Sequence, residues 1–484
     1  MKQKNNKKIT LWLLALAQFL VILDSAIVNV ALPAIKTALQ FDTASLQWVV
    51  TAYTLTVGGF LMLGGRAADL FGRRRVLISG ILMFSFTSLL IGLSQSSTMF
   101  IVLRALQGLA AAFMSPAALS ILLTTFKEGN ERNKALSIWG ALGAGGAAVG
   151  VMLGGLLTQT LGWQWNFFIN VPLGILAAWG LYKVLPLHEG EAADKKLDIS
   201  GAVLVTGGFV TLVYALTQAE TWGWASGAVW SLFGLSAVLL TSFFINEARV
   251  KHPLMPLSIF RIRNVVGGNL VMMPVIAGAM GMFFFASLYV QNVLHYPPIL
   301  TGISFFPIPI VIGLISTNAP RLLQHFSFKS LLMTGTVLMA IGDFMLSFLP
   351  LEGSYLFNML PGLLLMAVGM GLSFVSVTIA ATSGVSPDKT GLASGMLNTS
   401  QQVGGALGLA VLSSISATVI TASQAAGSSV AQASLNGYKQ VFLWAGIFMV
   451  AAFIAGTTII KSPKQQKKNA SQPKLSTEAA NVHS

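Results

Sequence analysis

The stretch LWLLALAQFLVILDSAIVNVAL, residues 11–32, holds a single charge, Asp24. About 20 apolar residues cross the hydrocarbon core of a bilayer as a helix, so this run reads as a membrane span. A carboxylate near the middle of such a helix costs about 2.5–3.5 kcal/mol on insertion scales, which makes Asp24 a functional candidate. Pro33 follows and reads as the helix end, with an outer loop over 34–45.

Outward from that run, comparable stretches occur at 46–63, 76–93, 99–122, 136–157, 163–185, 199–216, 229–245, 265–293, 299–319, 330–349, 355–377, 392–419 and 441–460, fourteen spans in all. Composition agrees: 54% of the 484 residues are hydrophobic and 9% charged, against about 25% charged in a soluble domain. There is no cysteine, and His188, His252, His295, His325 and His483 are scattered. No metal site, cofactor or catalytic cluster is therefore expected. The absence of a GlyLysSer or GlyLysThr phosphate loop argues against an ATP-driven pump.

The formal charge of +14 would suggest nucleic acid in a soluble chain. Here all but three of the 29 Lys and Arg fall on one side of the fourteen spans, the exceptions being Lys36, Lys439 and Arg104. By the positive-inside rule both termini are cytoplasmic in a multi-pass plasma (inner cell) membrane protein, and the basic excess is an orientation signal. The Lys-rich start also resembles a secretory signal, but the run is longer than an h-region, carries Asp24 and lacks a small-residue cleavage site.

The segment GRAADLFGRRRVL, residues 65–77, is the most specific in the chain. Gly65 and Gly72 permit a tight turn between helices, and Asp69 can accept from the next helix's amides or from the arginines. Arg73, Arg74 and Arg75 also fit a plain topology anchor. The segment resembles the loop signature of the major facilitator superfamily at Gly65, Asp69, Gly72, Arg73 and Arg74, with Ala67 where that family has leucine. The resemblance implies a loop that latches the cytoplasmic gate in the outward-facing state. RALQGLAAA, residues 104–112, resembles the family's second motif through Arg104, Gln107 and Gly108. Arg104 could snorkel to the boundary or face inward and meet Asp24, since helix rise places both in the outer half.

Gly146, Gly150 and Gly154 lie four apart, as for close helix packing. With Gly155 they also resemble the exporter signature of the superfamily, with Val151 in place of its proline. WQWNFFINVPLG (163–174), LDSAIVNVALP (23–33) and QWVVTAY (47–53) resemble the fourteen-helix drug/proton antiporter branch.

The resemblance implies an all-α polytopic fold of two six-helix bundles, 10–185 and 247–460, flanked by tails 1–9 and 461–484. The segment 186–246 between them would hold a polar loop and two inserted helices. It further implies a transporter, not an enzyme: a proton-coupled exporter of lipophilic, cationic drugs by alternating access, with small substrates, protons and membrane lipids as partners. A dedicated exporter of one metabolite, antibiotic or siderophore is the alternative, and an uptake symporter or a polytopic membrane enzyme are weaker ones.

Other expectations follow from position. Asn29, Tyr53 and Gln107 are expected to line the cavity, and Trp48, Trp222 and Trp224 to anchor at the interface. Asn398, Gln401 and Gln402 share one helical face, which fits either cavity lining or helix-to-helix hydrogen bonding. Asp343 is the only other acid within a span. It reads either as a second proton or cation site or as a carboxylate tucked against polar neighbours or the interface. Residues 320–329 read as a degraded copy of the Gly65 loop, with Gln324 for the acid and Ser327 for the second glycine, and Gly404, Gly405 and Gly408 echo the glycines of residues 146–155.

Overall fold

The computed structural model describes residues 2–42, 45–126, 130–186, 198–250, 253–255, 257–385 and 390–461. The polar loop at 187–197 and the tail after Lys461 lie outside the described residues. Among the described residues thirteen helices are long and apolar enough to cross a membrane, and Asn130–Thr160 occupies the remaining position of the fourteen. In hydrocarbon every backbone polar group must be satisfied within its own segment, which is why the described spans are helical. Large apolar side chains such as Phe86, Trp179, Val238 and Leu314 face outwards, as they do when lipid is the solvent.

The first bundle comprises α1 (Lys2–Leu39), α2 (Trp48–Phe71), α3 (Arg73–Gly92), α4 (Ser97–Thr125), α5 (Asn130–Thr160), and a broken sixth span, α6 (Trp165–Phe168) with α7 (Asn170–Val184). The inserted pair is α8 (Ile199–Trp222) and α9 (Gly227–Arg249). The second bundle comprises α10 (Arg263–Asn292), α11 (Pro298–Phe305) with α12 (Pro307–His325), α13 (Phe328–Leu346), α14 (Leu360–Thr382), α15 (Thr390–Ala425) and α16 (Val430–Ile459). An even number of crossings leaves both termini at one end of the molecule, the termini end; the other is the far end.

Three expectations need correcting. Pro33 does not end the first helix, because α1 runs on to Leu39. A proline removes the bond to the carbonyl four residues back, here Asn29, and that oxygen instead accepts from the Ser287 hydroxyl of α10 at 2.8 Å. Gly65 does not make the turn: it lies inside α2 against Pro116, and the reversal falls on Gly72, whose φ of 91° favours glycine. Trp48 is no interfacial anchor. It is 9% exposed and packs with Ala52, Leu55, Val213, Ala406 and Ala410, because α8 covers the face that the sequence alone would leave to lipid. Trp222 and Trp224 do face outwards.

Basic residues of the termini end close helix ends. Arg74, at the start of α3, donates to the Tyr182 carbonyl in the last turn of α7 at 2.6 Å and lies over the Tyr182 ring. Lys329, two residues after Ser327, donates to the Thr457 and Ile460 carbonyls at the end of α16, both at 2.7 Å. Each is the third helix of its bundle satisfying orphan carbonyls of the sixth. The copy at 320–329 has thus lost its acid but kept this cap, and Ser327 accepts from the Ser330 amide where Gly72 makes the first turn.

Candidate functional site: a buried ionic cluster in the first bundle

Asp24 on α1 and Arg104 on α4 face each other, both essentially inaccessible. Arg104 Nη1 donates to Asp24 Oδ2 at 2.6 Å. The other carboxylate oxygen, Oδ1, accepts from Gln107 Nε2 at 2.9 Å and from Asn170 Nδ2 at 2.8 Å. Gln107 Nε2 also donates to Ser88 Oγ at 2.7 Å, and Arg104 Nε donates to the Val49 carbonyl at 3.0 Å. Tyr53 places its ring 4.4 Å from the guanidinium carbon, where a desolvated cation is stabilised by the ring face.

Helix geometry assembles the cluster. Arg104 and Gln107 lie three apart on one face of α4, while Ser88 comes from α3 and Asn170 from the first turn of α7. Gly108 lets α4 close on α2, where any Cβ would strike the Tyr53 backbone. A buried charge pair is tolerable only when its remaining donors and acceptors are also met; Gln107 and Asn170 do this for Asp24, and the Val49 carbonyl and Gln107 do it for Arg104. The cluster is neutral overall and sealed.

Gln107 and Tyr53 are therefore members of this cluster and do not line an open cavity as expected. Asn29 sits on the seam between bundles, its carbonyl bonded to Ser287 and its side chain to the Ser25 carbonyl. Asn170 and Ser88 were missed as site residues, since neither is charged. Asn170 lay within a quoted resemblance, and its position about two turns into the span at 163–185 was the available signal.

Asp343 is not part of the cluster. It is fully buried in the second bundle, and neither carboxylate oxygen has a hydrogen-bond partner. Gly278 of α10, itself packed on Met449 of α16, lies against its Oδ2, so Asp343 is buried away from the interface and hydrogen-bonds none of its neighbours. The equivalence of Gly72 with Ser327 and of Arg74 with Lys329 aligns Asp343 with Ser88. Each sits on the third helix of its bundle and points to the junction of the first and sixth.

Asp69 pairs with Arg73 on its own loop at 3.1 Å and remains largely exposed. Among the described residues it makes no ion pair with the second bundle. Hydrogen bonds between bundles include, towards the far end, Ser287 with Asn29, Gln291 Nε2 with the Val30 carbonyl at 3.0 Å, and the Ile299 amide with Gln159 Oε1 at 3.1 Å, and, nearer the termini end, the Thr399 hydroxyl with the Gly58 carbonyl at 3.3 Å. The glycines of α5 serve two neighbours. Gly146, Gly150 and Gly154 face α1, whereas Gly155 lies on the Pro298–Ile299 backbone of α11. Gly302 of α11 reciprocates on Val151. Asn398 is exposed, Gln401 and Gln402 are half-buried, and the Gln402 Cβ lies against Gly58 of α2.

A helical membrane protein with two related bundles and a sealed acid–base pair in one of them has the form of a secondary transporter. The sequence profile of the Major Facilitator Superfamily matches residues 14–409, and the chain belongs to that family. It is 39% identical over 452 residues to the puromycin resistance protein pur8 of Streptomyces alboniger, covering 92% of this chain and 89% of that one. It is 37% identical over 438 residues to the cephamycin export protein CmcT of Amycolatopsis lactamdurans, covering 90% and 89%. Among solved structures it resembles the POT family transporter PepTSo, with a TM-score of 0.69 at 18% identity over 94% of this chain and 98% of the other. At that identity the likeness concerns fold alone. Family membership makes the chain a multi-pass membrane transporter and not an enzyme.

Proposed function

We propose that this chain exports lipophilic, cationic drug-like molecules across the cell membrane in exchange for protons, with its termini end in the cytoplasm. The observation that carries the reading is the sealed Asp24 carboxylate, held by Arg104, Gln107 and Asn170. The printed names of the two relatives, one a resistance protein and one an export protein, support the direction.

The cluster supplies a coupling rule. While Asp24 is ionised, the pair is neutral and a cationic cargo meets no net repulsion in the first bundle. When a proton neutralises Asp24, the Arg104 charge is left uncompensated in a medium of low dielectric, where like charges repel strongly. Arg104 cannot follow the proton away, because the Val49 carbonyl and Gln107 hold it. Proton and cargo thus exclude each other without sharing an atom, which is the condition for exchange. The closed far end and the unlatched Asp69 support reading this conformation as inward-facing, with Gly65, Asp69, Gly72, Arg73 and Arg74 engaging the second bundle in the other state. Asn398, Gln401 and Gln402 then face the transport path. Asp343, unpaired in an apolar setting, is assigned a second proton, because a lone buried carboxylate is far costlier than the acid.

The test is export of ethidium from liposomes driven by a pH gradient, comparing the native chain with Asp24→Asn. We expect proton-driven flux to vanish in the variant; native-like flux would refute the coupling role. A dedicated antibiotic exporter is the second reading, favoured because the relatives' names each specify one antibiotic. Protection of an efflux-deficient host against one compound only, from a panel of dyes and antibiotics, would select it.

A further inference from the structure

The inserted helices do more than add two spans. α8 packs on α2 of the first bundle and on α15 of the second, so the pair straddles one seam between bundles. Gly58 and Gly59 make this possible from adjacent positions: a Cβ on Gly58 would meet Gln402 of α15, and one on Gly59 would meet Thr206 of α8. Where α2, α8, α9, α10 and α15 converge they leave a cavity of about 290 Å³, close to the lower end of ligand pockets.

Its position and lining are informative. Leu240 and Phe243 belong to the last turns of α9, Val266 and Asn269 to the first turns of α10, and Leu254 and Met255 to the connection between them. All of these lie in the half of the molecule assigned above to the cytoplasmic leaflet. The connection is pinned by buried Glu247, whose Oε2 accepts from the Met255 amide at 2.7 Å. Among the described residues no charged side chain lines the cavity. Methionines 62, 255, 273 and 396 and four phenylalanines make up eight of the nineteen lining residues, and the methionines give a surface that adapts to ligand shape. One polar handle is built in: Asn269, 6% exposed, accepts from Ser400 Oγ at 2.7 Å and donates to the Val265 carbonyl. That leaves its second amide hydrogen to offer a ligand.

We propose that this cavity is a binding site for neutral, largely aromatic small molecules bearing one hydrogen-bond acceptor, taken up laterally from the cytoplasmic leaflet. It is separate from Asp24 and is closed on one side by the inserted helices. Only its place in a transport cycle rests on the export reading; binding itself does not, so the two can fail independently.

The experiment uses the full chain in nanodiscs and the neutral fluorophore 6-propionyl-2-(dimethylamino)naphthalene, whose ketone oxygen is the acceptor. The native chain should show saturable binding, Val205→Phe, which fills the cavity from α8, should weaken it at least tenfold, and Val238→Phe on the outward face of α9 should leave it unchanged. Equal binding by all three overturns the proposal. Because the chain has no cysteine, Met396→Cys offers an independent readout: the fluorophore should slow its alkylation by a lipophilic maleimide, and no protection also overturns the site. Stoichiometric co-purified phospholipid that is lost in Val205→Phe, with no fluorophore binding, would assign the cavity to an acyl chain and sink the small-molecule assignment.

Discussion

Replacing Arg104 by methionine keeps the apolar stem of the side chain, removes the guanidinium, and leaves Asp24 buried without its counter-charge. Breaking a buried pair from one side costs about 3–5 kcal/mol. The penalty has a ceiling, because Asp24 can escape by taking up a proton. For a carboxyl of ordinary proton affinity that costs about 1.36 kcal/mol per pH unit, or roughly 4 kcal/mol at pH 7. The sign follows from linkage: in the variant the folded chain binds a proton that the unfolded chain does not, so stability falls as pH rises. The pH-dependent loss should therefore shrink to roughly 1.5 kcal/mol at pH 5. A pH-independent part remains from the lost bond to the Val49 carbonyl and the lost contact with Tyr53, about 1 kcal/mol each. The double variant Asp24→Asn/Arg104→Met should show only this second part. Detergent-driven unfolding between pH 5 and 8, followed by tryptophan fluorescence, measures all three proteins. A deficit for Arg104→Met that is the same at both pH limits, or a double variant as unstable as the single one at pH 8, would refute the picture of a sealed ionised pair.

Asp343→Asn should leave unfolding unchanged within about 1 kcal/mol, since it replaces an unpaired acid by a group of similar shape; in liposomes it should remove the response of export to membrane potential, worth about 2.3 kcal/mol per charge at 100 mV. Asp69→Asn should barely alter stability, an exposed pair on one loop being worth about 0.3–0.5 kcal/mol, yet reduce turnover if the loop engages in the opposite conformation; full turnover would show the loop is only an anchor. Gly154→Ala should cost more than Gly146→Ala, because a Cβ at 154 meets the Ile27 carbonyl at 2.8 Å, whereas one at 146 meets the yielding Phe19 ring at 3.2 Å; a reversed order in thermal unfolding would contradict the α1–α5 contact.

The meeting of Asp24 with Arg104 was legible because charges in spans are few and helix rise gives their depth. Depth says nothing about azimuth, so the uncharged partners Ser88 and Asn170 did not stand out. The proline at 33 misled for a similar reason: its stop rule holds in water, whereas here a hydroxyl from another helix replaces the missing bond. Trp48 was misread because no periodicity in residues 199–249 tells which face of the molecule the inserted pair covers. What the sequence withheld in each case was the identity of a neighbour distant along the chain.

The oxygen that Pro33 strips of its own helix's donor is satisfied by a residue of the opposite bundle. Once the bundles part on that side, Asn29 keeps a bare carbonyl that nothing in α1 can cover. A water molecule must arrive there before Ser287 can leave, so wetting of a single point at the far end sets part of the barrier, and drier surroundings would hold the door shut.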